Sequence, residues 1–360
     1  MEEEKQNIGV IETESNKEES TIITRIKTKK KRKGLIISLS LLGSLSVLIV
    51  AIIIVNQLTV YPFISLFRWM TGLGEEQGNI GPYAEQIEKV KEGPVAIVST
   101  EGYPDAELTF YYPDDSKETH PVILYIHGGG WSVGSAKAVS SYAKLLASNG
   151  YIVANAEYAL APENPYPAST YQLVSALNYL YENADKYGID NSKIFIGGNS
   201  AGAHLSSQLG ALVSNPEYAD EVGVEIVFPS ECVKGLLLFN GVYNFDNAGD
   251  CKFPFFDRLL WSYTGVKDYK TYAKLDELST LKHITPNYPT TFITVGDIDP
   301  LEPQTIEFID KLQALGVDHT ALLWSGTNSK LFHDYIYELD TEEAQKAYRA
   351  VVDFLTACSQ

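Results

Sequence analysis

The segment Gly198-Asn199-Ser200-Ala201-Gly202 places a serine between small residues. It follows the apolar run 193–196 and opens a stretch, 201–213, with helical patterning. A serine hydroxyl is a weak nucleophile until a base takes its proton. At a tight strand-to-helix turn it is exposed, and the helix N–H groups point at developing negative charge. About 70 residues earlier, His127-Gly128-Gly129-Gly130-Trp131 follows another apolar run, 122–126. Successive glycines offer backbone N–H groups without Cβ obstruction, as an oxyanion hole requires. Each motif alone occurs by chance or as a plain turn. Together, each at the end of a strand, they point to acyl transfer through a serine.

Such chemistry needs a histidine base and an acid that orients it, in the chain order serine, acid, histidine. There are six histidines: 120, 127, 204, 283, 319 and 333. The first two precede the serine. His204 sits four residues after Ser200 on the same predicted helix, which suits a packed or hydrogen-bonded role. His283 comes before the apolar run 291–295, and His319 begins a predicted strand. His333, in Leu331-Phe332-His333-Asp334-Tyr335, falls in the loop after the last strand and fits the base position. The acid is expected just after 291–295, in Gly296-Asp297-Ile298-Asp299-Pro300-Leu301, where position alone leaves Asp297 and Asp299 open. An unperturbed histidine titrates near 6.5, so activity is expected to fall as pH drops through about 6 to 7.

The elements that must hold these residues follow a regular rhythm. Buried strands are predicted at 122–126, 151–154, 193–196, 235–239 and 291–295, with a further candidate at 319–324. Helices are predicted over 136–149, 170–187, 201–213, 303–315 and 341–357. Strand–helix alternation implies an α/β fold, a mostly parallel sheet flanked by helices. The Tyr-, Phe- and Asp-rich segment 241–288 breaks the rhythm and reads as a cap-like insertion. Its rings, together with the aromatic segment 57–72, are expected to narrow the acyl pocket and favour acyl groups of about two to eight carbons over long-chain lipids. The opposing expectation is that these rings form only the cap's own core.

From about residue 95 to the end, the chain resembles the hormone-sensitive-lipase group of α/β-hydrolases. The resemblance rests on 127–131, 198–202, Asp299-Pro300-Leu301, the loop bearing His333, and Tyr158-Ala159-Leu160-Ala161-Pro162-Glu163 with Tyr166-Pro167-Ala168 after it. It implies an α/β-hydrolase fold with a cap and a serine carboxylesterase or deacetylase activity. It also implies a triad of Ser200, His333 and Asp299, since the family's acid precedes Pro-Leu. By the same resemblance Gly129, Gly130 and Ala201 form the oxyanion hole. Two positions depart from the pattern. The family usually has Asp before the serine, where this chain has Asn199. It often has Gly after the histidine, where this chain has Asp334. The N-terminal segment is similar in a general way to that of membrane-bound deacetylases in the group.

The 360 residues carry a formal net charge of −18. Residues 1–33 hold nine Lys/Arg and seven Asp/Glu, so the excess of acid lies in the rest of the chain. An acidic domain suits neither DNA nor RNA. The first 33 residues read as a disordered cytoplasmic tail ending in a basic cluster, Lys27-Thr28-Lys29-Lys30-Lys31-Arg32-Lys33. Residues 35–55 contain no charge and are long enough to cross a bilayer. The expected organisation is therefore a tail at 1–33, a transmembrane anchor at 34–56, a linker or cap segment at 57–94, and a hydrolase domain at 95–360. A cleaved signal peptide is the competing reading; its apolar core is normally shorter and no A-x-A site follows. The basic cluster predicts an N-terminus in the cytoplasm and a catalytic domain across the membrane.

Neither cofactor nor metal is expected. Three cysteines, Cys232, Cys251 and Cys358, form no C-x-x-C pair, and a bridge between the first two is left open. The expected partners are a small ester substrate and the membrane; the oligomeric state is not set by the sequence. A non-catalytic adhesion protein of the same fold usually lacks a triad member, and none is missing here. A peptidase would need a substrate-recognition domain for which there is no room. Ser279-Thr280-Leu281-Lys282 matches the S-x-x-K of penicillin-binding enzymes, but no K-T-G or S-D-N accompanies it.

Overall fold

The computed structural model describes residues 2–72, 76 and 78–360, and side chains from residue 16 onward. Two units, one ending at Thr59 and one spanning Val60–Gln360, are taken in turn. The first is a single helix, Glu2–Leu58. It contains one stretch near the N-terminus apolar and long enough to cross a membrane, a property that a signal sequence shares. Residues 2–33, expected as a disordered tail, run as part of this helix. Glu, Lys, Gln and Ile are adequate helix formers, and no proline occurs before Pro62. Within the 57–94 segment, residues 73–75 and 77 lie outside the described residues.

The second unit is built on an eight-stranded sheet in the order β1-β2-β4-β3-β5-β6-β7-β8. The strands are β1 Lys91–Val98, β2 Ala106–Tyr112, β3 His120–Ile126, β4 Ile152–Glu157, β5 Ile189–Asn199, β6 Val233–Phe239, β7 Thr291–Val295 and β8 His319–Leu323. Strand β2 runs antiparallel to both its neighbours, and all other pairings are parallel. The central strands are apolar on both faces because both faces are covered. Along β3, Val122, Leu124 and Ile126 enter one core with Leu173, Leu177, Leu205, Leu209, Phe308 and Leu312. These come from helices Ala168–Glu182, Ala201–Ser214 and Glu302–Leu315. Ile123 and Tyr125 enter the opposite core, with Tyr142 and Leu146 of helix Ser140–Ala147 and Val351 and Leu355 of helix Glu342–Cys358.

Parallel pairing brings the strand ends level. Ile126 pairs with Gly198, Asn199 with Phe239, and Phe239 with Thr294. The loops after β3, β5 and β7 therefore emerge at one edge, and they carry 127–131, Ser200 and Asp299. Over that edge lie helix Tyr61–Thr71 and the 241–288 segment, which contains helix Phe256–Thr264. Tyr243, Phe245 and Tyr263 are buried in the core, whereas Phe255 is exposed. All three cysteines are free thiols.

Candidate active site

Ser200 stands between β5 and helix Ala201–Ser214 with φ 53° and ψ −119°. A residue with a side chain adopts this backbone only when its surroundings impose it, at a cost of about 1–3 kcal/mol. Here the Ser200 N–H donates to Phe239 O at 2.8 Å, and Ser200 O accepts from His204 N at 3.0 Å. Gly202 lets the turn close. A Cβ at that position would lie 2.1 Å from Ile126 O and 2.7 Å from His127 O. The absence of a side chain thus lets the nucleophile turn rest against the end of β3, where the glycine loop begins.

That loop is braced from several directions. Gly129 has φ 113°, and a Cβ there would meet Val133 O at 2.1 Å. The Gly128 N–H donates to Asn199 Oδ1 at 2.9 Å, tying the loop to the residue before the nucleophile. Tyr158 Oη donates to His127 O at 3.0 Å, and Ala161 N donates to Trp131 O at 2.9 Å. The Trp131 indole N–H donates to His204 Nδ1 at 3.1 Å, so Nε2 of that ring carries the proton and donates to Leu278 O at 3.0 Å. Burial pulls the His204 pKa down to about 4 and likewise that of His127. His204 is a neutral structural ring, as its place on the helix suggested.

His333 Nδ1 lies 2.8 Å from Asp299 Oδ2. A carboxylate only accepts, so Nδ1 carries the proton and Nε2 is the edge free for proton exchange. Asp299 is 3% exposed and has further partners. Asn240 Nδ2 donates to Oδ2 at 2.5 Å, and Leu301 N donates to Oδ1 at 2.8 Å. Asp297 does something different. Its Oδ2 accepts from Lys330 N at 3.1 Å and its Oδ1 from Leu331 N at 2.7 Å, so it fastens the loop that carries His333.

Ser200, Ala201, Gly129, Gly130 and His333 line one cavity of about 110 Å³. Its other walls are largely apolar and include Phe67, Trp131, Phe253, Phe256 and Leu259, with Asp334 at the side of His333. Phe67 comes from helix Tyr61–Thr71. That helix is clamped by Arg68, whose guanidinium donates to Ser132 O and Ala161 O at 2.8 Å each and to both Glu163 oxygens at 2.8 and 2.9 Å. The structure thus brings together all six sequence-derived site residues, with Asp299 behind His333.

The BD-FAE family model matches residues 108–312, more than half of the chain. The chain belongs to the BD-FAE family. Carboxylesterase NlhH of Mycobacterium tuberculosis (strain ATCC 25618 / H37Rv) is 30% identical over 228 residues, covering 61% of this chain and 69% of that protein. Esterase LipC of the same strain is 27% identical over 203 residues, covering 54% and 49%. Two solved structures share the fold. A bacterial heroin esterase has a TM-score of 0.65 at 24% identity, covering 76% of this chain and 86% of its own. Esterase B of Lactobacillus rhamnosis HN001 has a TM-score of 0.66 at 21% identity, covering 79% and 88%. This BD-FAE member is accordingly an α/β-hydrolase of the hormone-sensitive-lipase and carboxylesterase group, and a carboxylic ester hydrolase.

Several residues at the BD-FAE site were not singled out for these roles in the sequence. Asn240, Arg68 and Asp297 act through contacts between segments far apart in the chain. The residues 158–163 were recognised only as a resemblance, and their contacts explain it: Tyr158, Ala161 and Glu163 hold the glycine loop and the helix beside it. The departures at Asn199 and Asp334 prove to be two ends of one hydrogen bond, with Asn199 Nδ2 donating to Asp334 Oδ2 at 3.0 Å.

Proposed function

We propose that Ser200, His333 and Asp299 form a catalytic triad that hydrolyses short-acyl esters through an acyl-enzyme. The observation that carries this reading is a serine held in a left-handed turn on the same cavity wall as a histidine whose far nitrogen is bonded to a buried carboxylate. His333 Nε2 takes the proton of Ser200 Oγ as Oγ bonds to the ester carbonyl carbon. The carbonyl π electrons move onto oxygen, where the N–H groups of Gly129, Gly130 and Ala201 stabilise the charge. Asp299 keeps the proton on Nδ1 and steadies the imidazolium. As the oxyanion re-forms the carbonyl, the alkoxide leaves with the proton from Nε2. Water then repeats the sequence on the acyl-enzyme and frees the acid.

A cavity of about 110 Å³ supports a short acyl group. Apolar cavities of about 150 Å³ hold a molecule of benzene's size. Each methylene that fits should add about 0.8 kcal/mol, or about fourfold in kcat/KM, until space runs out. A series of p-nitrophenyl esters from two to sixteen carbons, on the full chain in detergent, should rise and then break by about eight carbons. A rise continuing to sixteen would favour a long-chain lipase. The exposed Leu66, Trp69 and Met70 on helix Tyr61–Thr71 are the observation that supports this second reading. We further propose that the apolar helix stays as an uncleaved anchor, with the basic cluster in the cytoplasm and the hydrolase domain across the membrane. An impermeant thiol reagent on intact cells should label a cysteine placed near Asp114 and spare one placed before Lys27; the reverse pattern would overturn the orientation.

A further inference from the structure

The described charged and titratable groups that face His333 are few. Asp299 meets Nδ1 from the loop after β7. The nucleophile turn presents Ser200 and the neutral amide of Asn199, and the cap presents the ring of Phe253, edge-on at 4.8 Å between centroids. Tyr243 and Cys251 approach Asp299 rather than the ring, and burial pushes the pKa of both upward. The remaining group is Asp334, the next residue in the chain. Its Oδ2 lies 3.6 Å from His333 Nε2, and its Oδ1 is buried without a hydrogen-bond partner among the described residues.

We infer that Asp334 is a second carboxylate acting on the general base, a positioning residue that holds His333 as an imidazolium from the Nε2 side while Asp299 holds it from the Nδ1 side. The inference rests on the triad reading above. Burial pushes the Asp334 pKa upward against the pull of His333 and of the Asn199 hydrogen bond, and the phenols of Tyr125 and Tyr337, which burial keeps protonated, also lie near it. A carboxylate so poorly solvated keeps its charge best with a cation beside it. The imidazolium is that cation. The effect extends to the reaction, because His333 becomes an imidazolium each time it takes the Ser200 proton. Asp334 therefore strengthens the base, while keeping it protonated over more of the pH range.

The neighbouring contacts show how this chain accommodates the extra charge. Asn199 Nδ2 donates to Asp334 Oδ2, and its Oδ1 accepts from Gly128 N. An aspartate before the serine would place two carboxylates within about 3 Å of each other. With Asn199 there, the acidic group sits on the histidine loop. Asp334 has φ 61°, a backbone that glycine adopts freely. Replacement by glycine thus removes the carboxylate without adding backbone strain. The titration of His333 agrees with this geometry. Burial pulls its pKa down, but the carboxylates of Asp334 and Asp299 outweigh that and push it up to about 9. The sequence-derived expectation of an acid limb at 6 to 7 therefore moves upward.

The test is the pH profile of kcat/KM for a short p-nitrophenyl ester between pH 5 and 10, on the full chain in detergent. It compares the native protein with Asp334→Asn and Asp334→Gly, and thermal midpoints check that each is folded. Below the pKa the neutral fraction of His333 rises tenfold per pH unit. The native limb should lie near 9, and both variants should shift it down by about one unit or more. Their plateau at high pH should fall, so the curves converge or cross in the acid range. An acid limb that stays in place while activity drops equally at every pH would overturn the inference and leave Asp334 a loop-holding residue. If Asp334→Asn does not fold, Asp334→Gly decides alone. Failure of the triad reading shows separately, as activity retained by Ser200→Ala or His333→Ala.

Discussion

Replacing Asp299 by Asn tests the acid assignment with almost no change in shape. In the native site Asp299 receives three hydrogen bonds, from His333 Nδ1 at 2.8 Å, Asn240 Nδ2 at 2.5 Å and Leu301 N at 2.8 Å. An asparagine has one accepting oxygen and one donating NH2. If its oxygen faces Leu301, its NH2 confronts His333 Nδ1 and stabilises the tautomer with the proton on Nε2. That tautomer cannot take the serine proton. A change of this kind lowers kcat by about 10⁴, or about 5 kcal/mol in the barrier. Asp297→Asn should retain most of its activity, because the Asp297 carboxylate accepts from backbone N–H groups, those of Lys330 and Leu331 among them, and does not bond to the His333 ring. Steady-state hydrolysis of p-nitrophenyl acetate, with thermal midpoints for each variant, measures both. If Asp297→Asn abolished turnover and Asp299→Asn did not, the assignment would fail.

Two further outcomes follow from the packing. Gly202→Ala should keep its fold but lose at least about a hundredfold in kcat, since a Cβ 2.1 Å from Ile126 O must push the oxyanion loop from the nucleophile turn; unchanged kinetics would show that the turn has slack. Arg68→Met removes donors to Ser132 O and Ala161 O as well as a half-exposed ion pair with Glu163. It should cost about 2 kcal/mol of stability and raise KM, through Phe67 on the same helix, more than it lowers kcat; an unaltered midpoint and KM would mean that the clamp holds nothing the site needs.

The parts of the fold that could be seen in the sequence share a physical cause. The cores of strands β3 to β7 are mostly apolar because helices cover both faces, whereas the edge strand β8 is only partly buried, and the helices between them carry a one-sided apolar pattern. Strands β1 and β2 escaped notice because they lie at the antiparallel edge. In β1, Ala96 and Val98 are buried while Val95 and Ile97 are exposed, and Gly93-Pro94 interrupts the run. The site residues that could be named were those whose role imposes a local backbone: a serine between glycines, three glycines after a strand, an aspartate before Pro-Leu. Asn240, Arg68 and Tyr158 could not be assigned roles, since each works through a partner distant in the chain. Asn199 and Asp334 were visible only as departures from a pattern, and their bond to each other needed the fold to bring 135 positions together. The helical course of residues 2–33 is hidden in the sequence because charged, polar composition reads as disorder even where helix propensity is adequate.

The most direct measurement of the central claim is covalent. The full chain in detergent is treated with a fluorophosphonate at pH 8 and digested, and the modified peptide is sequenced by mass spectrometry. The account predicts a single adduct on Ser200, formed with loss of esterase activity, absent in Ser200→Ala and greatly slowed in His333→Ala. Esterase activity that survives complete modification of Ser200, or inactivation accompanied by an adduct on another serine such as Ser132 or Ser279, would contradict it.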